Sequence, residues 1–149
     1  MGSIQGAADG ATFHHFGFVV ASIENSLQGF LHALQAEWSG KIFLDPNQRV
    51  RVTFLHGRQN GNPVLELVEP AGDKSPVISF LNRGGGLHHL CYEVDDLEEQ
   101  LRLSRTQAGI VVRPPLPAVA FDGRCIAWVY TKQKLLLEYL ERHRKFDRK

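Results

Sequence analysis

Two stretches of the chain share one pattern: a histidine pair, an apolar strand-like run, and then acidic and polar residues at helical spacing. The first begins at His14 and reads HHFGFVVASIENSL, and the second begins at His88 and reads HHLCYEVDDLEEQL. The histidine pairs are 74 residues apart, and the same spacing aligns VTFL, which begins at Val52, with IAWV, which begins at Ile126. Glu66 aligns with Glu138 at a spacing of 72 residues. Self-similarity over such a distance indicates a duplicated structural unit.

Each copy is predicted to form a strand, a helix and then further strands, from its apolar periodicity and its turn residues. The elements predicted for the first copy are a strand at 14–20, a helix ending near 35, and strands at 47–55 and 63–68. Those predicted for the second copy are a strand at 88–94, a helix from 95 to about 108, and strands at 124–130 and 135–140. A short helix near 76–81 and three glycines form the predicted linker between the copies.

Alternation along the predicted strands indicates which side chains face each other. The larger apolar residues of the first strand share the face expected to pack on a helix, and they are Phe16, Phe18 and Val20. His15 faces the other way beside Gly17, which leaves space next to the imidazole. In the second copy the equivalent apolar face is Leu90, Tyr92 and Val94. His89 therefore corresponds to His15, and Glu66 corresponds to Glu138, so each copy contributes one inward histidine and one inward glutamate.

These four inward side chains favour a metal site. A single strand histidine is usually a satisfied core or surface group, but burying ionised carboxylates without a cation costs several kcal/mol each, and a divalent ion removes that penalty. One divalent ion held by His15, Glu66, His89 and Glu138 is therefore the prediction. Mixed nitrogen and oxygen ligands suit zinc, cobalt, nickel, manganese or iron(II), and a site without cysteines favours chemistry over a purely structural zinc.

Composition narrows the class of protein. A chain of 149 residues with 43% hydrophobic and 22% charged residues is typical of one globular domain. A net charge of +1 argues against nucleic-acid binding, and no apolar run is long enough for a membrane helix. Cys91 and Cys125 are expected to be buried thiols of a cytoplasmic protein. Residues 1–12 are predicted to be a flexible N-terminus, and 142–149 a solvated basic tail.

Together these residues resemble the vicinal-oxygen-chelate superfamily of glyoxalases, bleomycin-resistance proteins and dioxygenases. The similarity spans residues 13–141 and is greatest to the methylmalonyl-CoA epimerase branch, through LELVEP, DKSPVISFL and GGGLHHLCYEVDDLEEQL. It implies an α+β fold of two tandem βαβββ modules that form a curled mixed sheet around a metal-binding cup. The implied boundaries are a first module at about 13–70, a linker at 71–86 and a second module at about 87–141.

The resemblance also implies a ligand set and an activity. The family's ligands correspond to His15, Glu66, His89 and Glu138, whereas the first histidine of each pair, His14 or His88, is expected to face the helix side as a structural residue. The implied activity is a metal-dependent epimerase or isomerase that acts through a metal-stabilised enolate on an acyl-CoA thioester. Glu138 is the candidate catalytic residue for proton transfer.

The sequence departs from the epimerase pattern at the second base. No glutamate lies in 50–55, and Asp45 or Glu93 are the available substitutes. The common His-Gly is also replaced by Asp122-Gly123, which indicates a changed substrate pocket. Four cations near predicted strand ends are candidates to meet a CoA phosphate or a carboxylate, and they are Arg49, Arg51, Arg124 and Lys132.

Two other functions remain open from the sequence. One is a glyoxalase-I-like lyase that acts on a thiol conjugate, and the other is a small-molecule-binding resistance-type module without catalysis. In such a module aromatic residues line the cup, and the candidates are Phe121, Trp128 and Tyr130, although Trp128 is expected in the core. A dioxygenase is disfavoured because both carboxylate positions are filled. The expected partners are a small-molecule substrate and a second copy of the chain in a homodimer.

Overall fold

A computed structural model describes residues 10–143, in which all the strands belong to one mixed sheet. The strands are β1 (Thr12–Val19), β2 (Glu37–Trp38), β3 (Phe43–Asp45), β4 (Val50–His56), β5 (Pro63–Pro70), β6 (Gly86–Val94), β7 (Ile110–Pro117), β8 (Cys125–Tyr130) and β9 (Leu136–Glu141). The helices are α1 (Ile23–Leu34), α2 (Ile78–Asn82) and α3 (Leu97–Thr106), with a 3-10 turn at Val119–Phe121. None of the helices in this part of the chain is long and apolar enough to span a bilayer.

The two copies of the repeat meet at the centre of the sheet. The strand order is β2-β4-β5-β1-β6-β9-β8-β7, and β3 also pairs with β4. β1 and β6 are antiparallel to each other, whereas β1 runs parallel to β5 and β6 runs parallel to β9. The predicted α+β class, with a mixed sheet built from two similar modules, is confirmed.

The two long helices cover one face of this sheet. Ser22 caps α1 by accepting a hydrogen bond from the backbone N–H of Asn25, and Asp96 caps α3 in the same way. The side chains under α1 are the buried Val20, Leu65 and Leu67 and the partly buried Phe18. Those under α3 are the buried Val94, Tyr139, Ala127 and Val129 and the partly buried Tyr92. Residues that alternate with these positions on the central strands therefore face away from the helices.

Several elements differ from the predictions. β2 and β3 are too short for a periodic signal, and β7 was missed because its sequence IVVRPPLP contains prolines, which are tolerated in a sheet chiefly on an edge strand. The strand predicted at 47–55 begins only at Val50, because Asp45 accepts hydrogen bonds from the backbone N–H groups of Asn47 and Gln48 and turns the chain. Phe16, predicted to pack under a helix, is 42% exposed.

The pairing of β1 with β6 has one irregularity in β1. Phe13 lies opposite Tyr92 and His15 lies opposite Cys91, so His14 is an extra residue without a cross-strand partner. This two-against-one arrangement is a β-bulge, which disturbs the alternation of side chains and re-aims the extra one.

A second irregularity lies in β6 at the equivalent place. Gly17 is opposite His89 and Phe18 is opposite Leu87, so His88 is the extra residue here. The first histidine of each pair is therefore a bulge residue, one in each module.

The C-terminal end of β9 is fixed to the start of β1. The Arg142 guanidinium donates to the carbonyl oxygens of Gly10 (2.9 Å) and Glu93 (3.3 Å), and it is 2.8 Å from Oδ1 of Asp95. Arg142 is thus not part of a solvated tail as predicted. The remainder of that predicted tail, 144–149, and most of the predicted flexible N-terminus, 1–9, lie outside the described residues.

We expect the sheet to depend on the apolar contacts under α3. Leu101 is 1% exposed and packs in the cluster beneath that helix, whereas Leu103 on the same helix is 44% exposed. Leu101→Ala should lower the free energy of unfolding by about 2–5 kcal/mol, because it leaves a cavity in the core. Leu103→Ala, measured by the same urea titration, should change it by less than about 1 kcal/mol. Equal effects of the two substitutions would contradict this packing.

Candidate metal centre

Four neighbouring strands bring the predicted ligands together on the face opposite the helices. Glu66 lies on β5, His15 on β1, His89 on β6 and Glu138 on β9, which are consecutive in the sheet. All four side chains are buried. The duplication thus places one histidine and one glutamate from each module at the centre of the molecule.

The ligand atoms of these residues lie close to one another. His15 Nε2 is 3.4 Å from His89 Nε2, 3.7 Å from Glu66 Oε1 and 3.5 Å from Glu138 Oε1. His89 Nε2 is 3.4 Å from Glu66 Oε1 and 3.9 Å from Glu138 Oε1. Two atoms bound to one ion at roughly 2.0–2.2 Å can be no more than about 4.4 Å apart. All five distances are therefore compatible with one shared ion. Among the described residues, the ligand atoms of His15, Glu66 and His89 all lie within 4.8 Å of one another, and Oε1 of Glu138 adjoins the two histidines.

The electrostatics of the cluster also suit a cation. Oε1 of Glu138 is buried and has no hydrogen-bond partner among residues 10–143. Burial raises the pKa of Glu138 to about 7. Burial also opposes ionisation of Glu66, but attraction to His15 and His89 outweighs it and lowers the pKa of Glu66. A divalent ion would satisfy the unpartnered oxygen and stabilise both carboxylates. The donor set fits such an ion, and the ligand roles of the four residues stay a prediction.

Gly17 provides the space that His89 occupies. The two residues are paired across β1 and β6, and a Cβ atom at Gly17 would overlap Cε1, Nδ1 and Nε2 of the His89 ring. The sequence indicated room beside His15, and the structure shows that the ring using this room belongs to His89. A glycine is required here by side-chain packing, since any side chain at this position would overlap the imidazole of the neighbouring strand.

The bulge histidines contact the two histidines that are candidate ligands. Nδ1 of His14 is 2.7 Å from Nδ1 of His15, and Nδ1 of His88 is 2.9 Å from Nδ1 of His89. The prediction that His14 and His88 face the helix side is wrong, because the bulges turn both rings toward the metal-centre face. Burial, followed by repulsion from the neighbouring histidine, lowers the pKa of His14 and of His88 to about 4.

A cavity of about 180 Å³ opens above the cluster. Glu66, His89 and Glu138 lie at its base. Its walls are mainly apolar and include Val50, Val52, Val68, Val77, Ala118, Phe121, Ile126 and Trp128. Trp128, expected in the core, is partly buried against the apolar core cluster and also forms part of this wall, with its ring 4.7 Å from that of His89. Of the other aromatic candidates, Phe121 lines the cavity and Tyr130 lies outside it.

Neither substitute for the second base is a free carboxylate in the cavity. Asp45 lines the cavity, but its oxygens accept hydrogen bonds from the backbone N–H groups of Asn47, Gln48 and Val119 at 2.9, 3.0 and 3.1 Å. Glu93 is not among the lining residues and is 3.1 Å from Arg124. The carboxylates free for chemistry in this cavity, among the described residues, are thus Glu66 and Glu138.

Of the cations considered from the sequence, two are already paired. Arg51 forms ion pairs with Glu24 (2.9 Å) and Glu69 (2.8 Å), and Arg124 pairs with Glu93. Arg113 on β7 also lines the cavity, and it was not a candidate from the sequence because its strand was not predicted. Gln48, buried at the cavity wall, was missed because its stretch was expected to be a strand.

Comparison with known proteins places the chain in a superfamily. Residues 14–128 match the model of the Glyoxalase/Bleomycin resistance protein/Dioxygenase superfamily. The chain belongs to this superfamily, as the motifs and the fold together indicate.

Its relatives include epimerases. The chain is 26% identical over 137 residues to the mitochondrial methylmalonyl-CoA epimerase of Dictyostelium discoideum, an alignment covering 89% of this chain and 78% of the relative. It is 28% identical over 121 residues to the ethylmalonyl-CoA/methylmalonyl-CoA epimerase of Cereibacter sphaeroides, with 80% and 87% covered. The crystal structure of methylmalonyl-CoA epimerase from Mycobacterium tuberculosis has the same fold, with a TM-score of 0.76, 22% identity, and 91% and 90% covered.

The contact between Gly17 and His89 makes a specific prediction about metal uptake. Gly17→Ala should displace the His89 ring and weaken binding of zinc or cobalt by at least about tenfold. Gly29→Ala is the matched control, because a Cβ at this exposed helical position meets nothing within 4 Å. Titration of each metal-free protein with a chromophoric competitor measures both affinities. Wild-type affinity in Gly17→Ala would show that this close approach is not needed for the metal centre.

Proposed function

We propose that this protein is a metal-dependent isomerase of the epimerase type, which moves the proton next to the carbonyl group of an acyl-CoA thioester. The observation that carries the proposal is the convergence of two imidazoles and two carboxylates at the base of an apolar cavity. The two epimerase relatives support the same chemistry. A malonyl-type thioester with a 2-substituent is the proposed substrate class.

His15, Glu66, His89 and Glu138 would hold the ion. When bound, a divalent ion supplies a Lewis acid that can polarise a thioester carbonyl oxygen and so acidify the neighbouring C–H bond. A substrate that fills a cavity with apolar walls displaces water from it, which strengthens every electrostatic interaction of that substrate. The protein therefore provides both the ligands and a medium of low polarity.

Glu138 is the proposed acid–base residue. It lies at the base of the cavity, and if one of its oxygens binds the ion, the other carboxylate oxygen is left for proton transfer. The oxygens of Asp45 are instead taken by backbone N–H groups. A carboxylate at this position can take the proton from the α-carbon and return it. The wall at Val52 is apolar, so a second carboxylate is not available there to protonate the opposite side. Exchange of the substrate's α-proton with solvent requires only one base. Inversion of the α-carbon also requires a proton donor on the opposite side.

The cavity also suggests how the substrate lies. Its volume of about 180 Å³ is below the roughly 300–1,000 Å³ of sites that enclose drug-sized ligands, so it suits the acyl group and leaves the CoA moiety outside. Arg113 is the one cation that lines the cavity in the described chain, and a guanidinium pairs well with a carboxylate. We propose that Arg113 binds the free carboxylate of a malonyl-type acyl group.

The homodimer also stays a proposal. Phe13, Phe16 and Leu87 are exposed on the central strands, and the Phe13 and Phe16 rings are 4.9 Å apart. An exposed apolar patch of this kind suits contact with a second copy of the chain. The cytoplasmic location likewise stays a prediction.

The alternatives have less support. The epimerase relatives do not support a glyoxalase-I-like lyase, although the same ligand set would serve one. A resistance-type binding module requires no metal ligands, and it leaves the burial of Glu66 and Glu138 beside two histidines unexplained.

Exchange of the substrate's α-proton in D₂O tests the proposed function. Protein loaded with cobalt, zinc, nickel or manganese should replace the α-proton of methylmalonyl-CoA or ethylmalonyl-CoA with deuterium, seen by ¹H NMR as collapse of the splitting that this proton causes. Glu138→Gln should slow the exchange by at least about 100-fold, whereas Glu98→Gln, an exposed glutamate on α3, should not. The hemithioacetal of methylglyoxal and glutathione is the parallel substrate for the lyase. No exchange with any ion, or equal rates for wild type and Glu138→Gln, would contradict the proposal.

Arg113 yields a separate prediction about substrate choice. Arg113→Ala should raise the Kd for methylmalonyl-CoA by about tenfold or more, because a charge-assisted hydrogen bond to the carboxylate is lost. The Kd for propionyl-CoA, which lacks that carboxylate, should stay within about twofold of wild type. Calorimetric titration of both thioesters distinguishes the two effects. An equal loss for both ligands would assign Arg113 to the fold or to the CoA moiety.

A further inference from the structure

The two β-bulges have the same relation to the candidate metal centre. Each inserts one extra histidine immediately before a predicted ligand, His14 before His15 and His88 before His89. In a regular strand the residue before a ligand points to the opposite face. Here the bulge turns the ring of the extra histidine to the same side as the predicted ligand. Nδ1 of His14 is 2.7 Å from Nδ1 of His15, and Nδ1 of His88 is 2.9 Å from Nδ1 of His89. Bulges often re-aim a side chain next to a functional site, and this one occurs in both modules.

The position of the shared proton follows from the ligand's chemistry. A neutral imidazole that binds an ion through Nε2 carries its proton on Nδ1. Nδ1 of His15 and of His89 must then donate, and the nitrogen facing each of them must accept. That nitrogen is Nδ1 of His14 or of His88, so these two rings carry their proton on Nε2. The bulge histidines and the ligand histidines therefore have opposite tautomers.

We propose that His14 and His88 are positioning residues, each of which accepts a hydrogen bond from the neighbouring ligand histidine and holds that ligand's Nε2 toward the ion. This inference rests on the metal centre proposed above. It assigns a role in metal affinity to two residues that do not themselves bind the ion. Outer partners of this kind fix both the tautomer and the orientation of a ligand ring.

The surroundings of the two rings hold them in place. His14 packs edge-on against Phe121 at 5.6 Å, and its Nε2 is 4.0 Å from Oε1 of Glu93, whose carboxylate is anchored by Arg124. A carboxylate on that side favours the proton on Nε2 of His14.

His88 is held by aromatic contacts instead. Its ring lies 4.9 Å from that of Phe80 and 6.1 Å from that of Trp128, edge-on to both. Packing that restricts a ring in this way prepares its nitrogen to accept in one direction.

Paired substitutions separate this role from simple packing. His14→Phe and His88→Phe keep a ring but remove the acceptor, whereas His14→Asn and His88→Asn offer a side-chain oxygen near the place of Nδ1. The phenylalanine variants should weaken zinc and cobalt binding by about 10- to 100-fold, and the asparagine variants should stay within about threefold of wild type. His32→Phe, on the exposed side of α1, is the matched control and should bind as wild type does. Wild-type affinity in both phenylalanine variants, or equal losses with phenylalanine and asparagine, overturns the proposal.

If a variant fails to fold, the proposed tautomers can be tested on the wild-type protein. Long-range ¹H–¹⁵N NMR of the zinc-loaded protein distinguishes protonated from unprotonated ring nitrogens. Nδ1 should be protonated in His15 and His89 and unprotonated in His14 and His88. The opposite pattern at either pair overturns the proposal while leaving the metal centre intact. If the wild type takes up no ion at all, the proposed function fails together with this inference.

Discussion

The central pairing of β1 with β6 is the constraint on which the rest of the site depends. It joins the two modules so that His15 and His89 meet with their Nε2 atoms 3.4 Å apart, and the parallel strands on either side add Glu66 and Glu138. Two buried carboxylates and two buried imidazoles are costly to assemble without a cation. The apolar clusters beneath α1 and α3 stabilise a sheet that holds this arrangement, and a bound divalent ion would offset the cost of burying the two carboxylates.

The two modules are alike at the ligands and differ around them. The extra histidine in the first module has Glu93 and Arg124 behind it, while its counterpart is surrounded by Phe80 and Trp128. Asp45 of the first module also binds the backbone N–H of Val119 in the second, which ties the two halves together across the cavity. The outcome is one cavity with Glu138 at its base and an apolar wall at Val52. Such a site suits proton transfer by one carboxylate.

Strand alternation was sufficient to identify the four inward side chains that are candidate ligands, and insufficient to identify their neighbours. Glu66 and Glu138 lie in regular strands between leucines and a tyrosine that pack under the helices, so the period of two placed them correctly. The same rule failed for His14 and His88, because a bulge adds one residue to one strand only and the sequence carries no local signal for it. Arg113 was not predicted to line the cavity because its strand contains prolines, which are tolerated in a sheet chiefly at an edge. The fold was therefore predictable from repeated local patterns, and the cavity wall was not, because it is made by contacts between distant segments.

The metal content of the purified protein shows whether the four buried side chains bind an ion. Wild type and His89→Ala are reconstituted in parallel with zinc, cobalt, nickel and manganese, passed through the same desalting column, and analysed for each element. We expect about one ion per chain in the wild type, because the four side chains converge on one place, and little in the variant. A wild type that stays empty with all four metals, or a His89→Ala variant that retains a full equivalent, would contradict it.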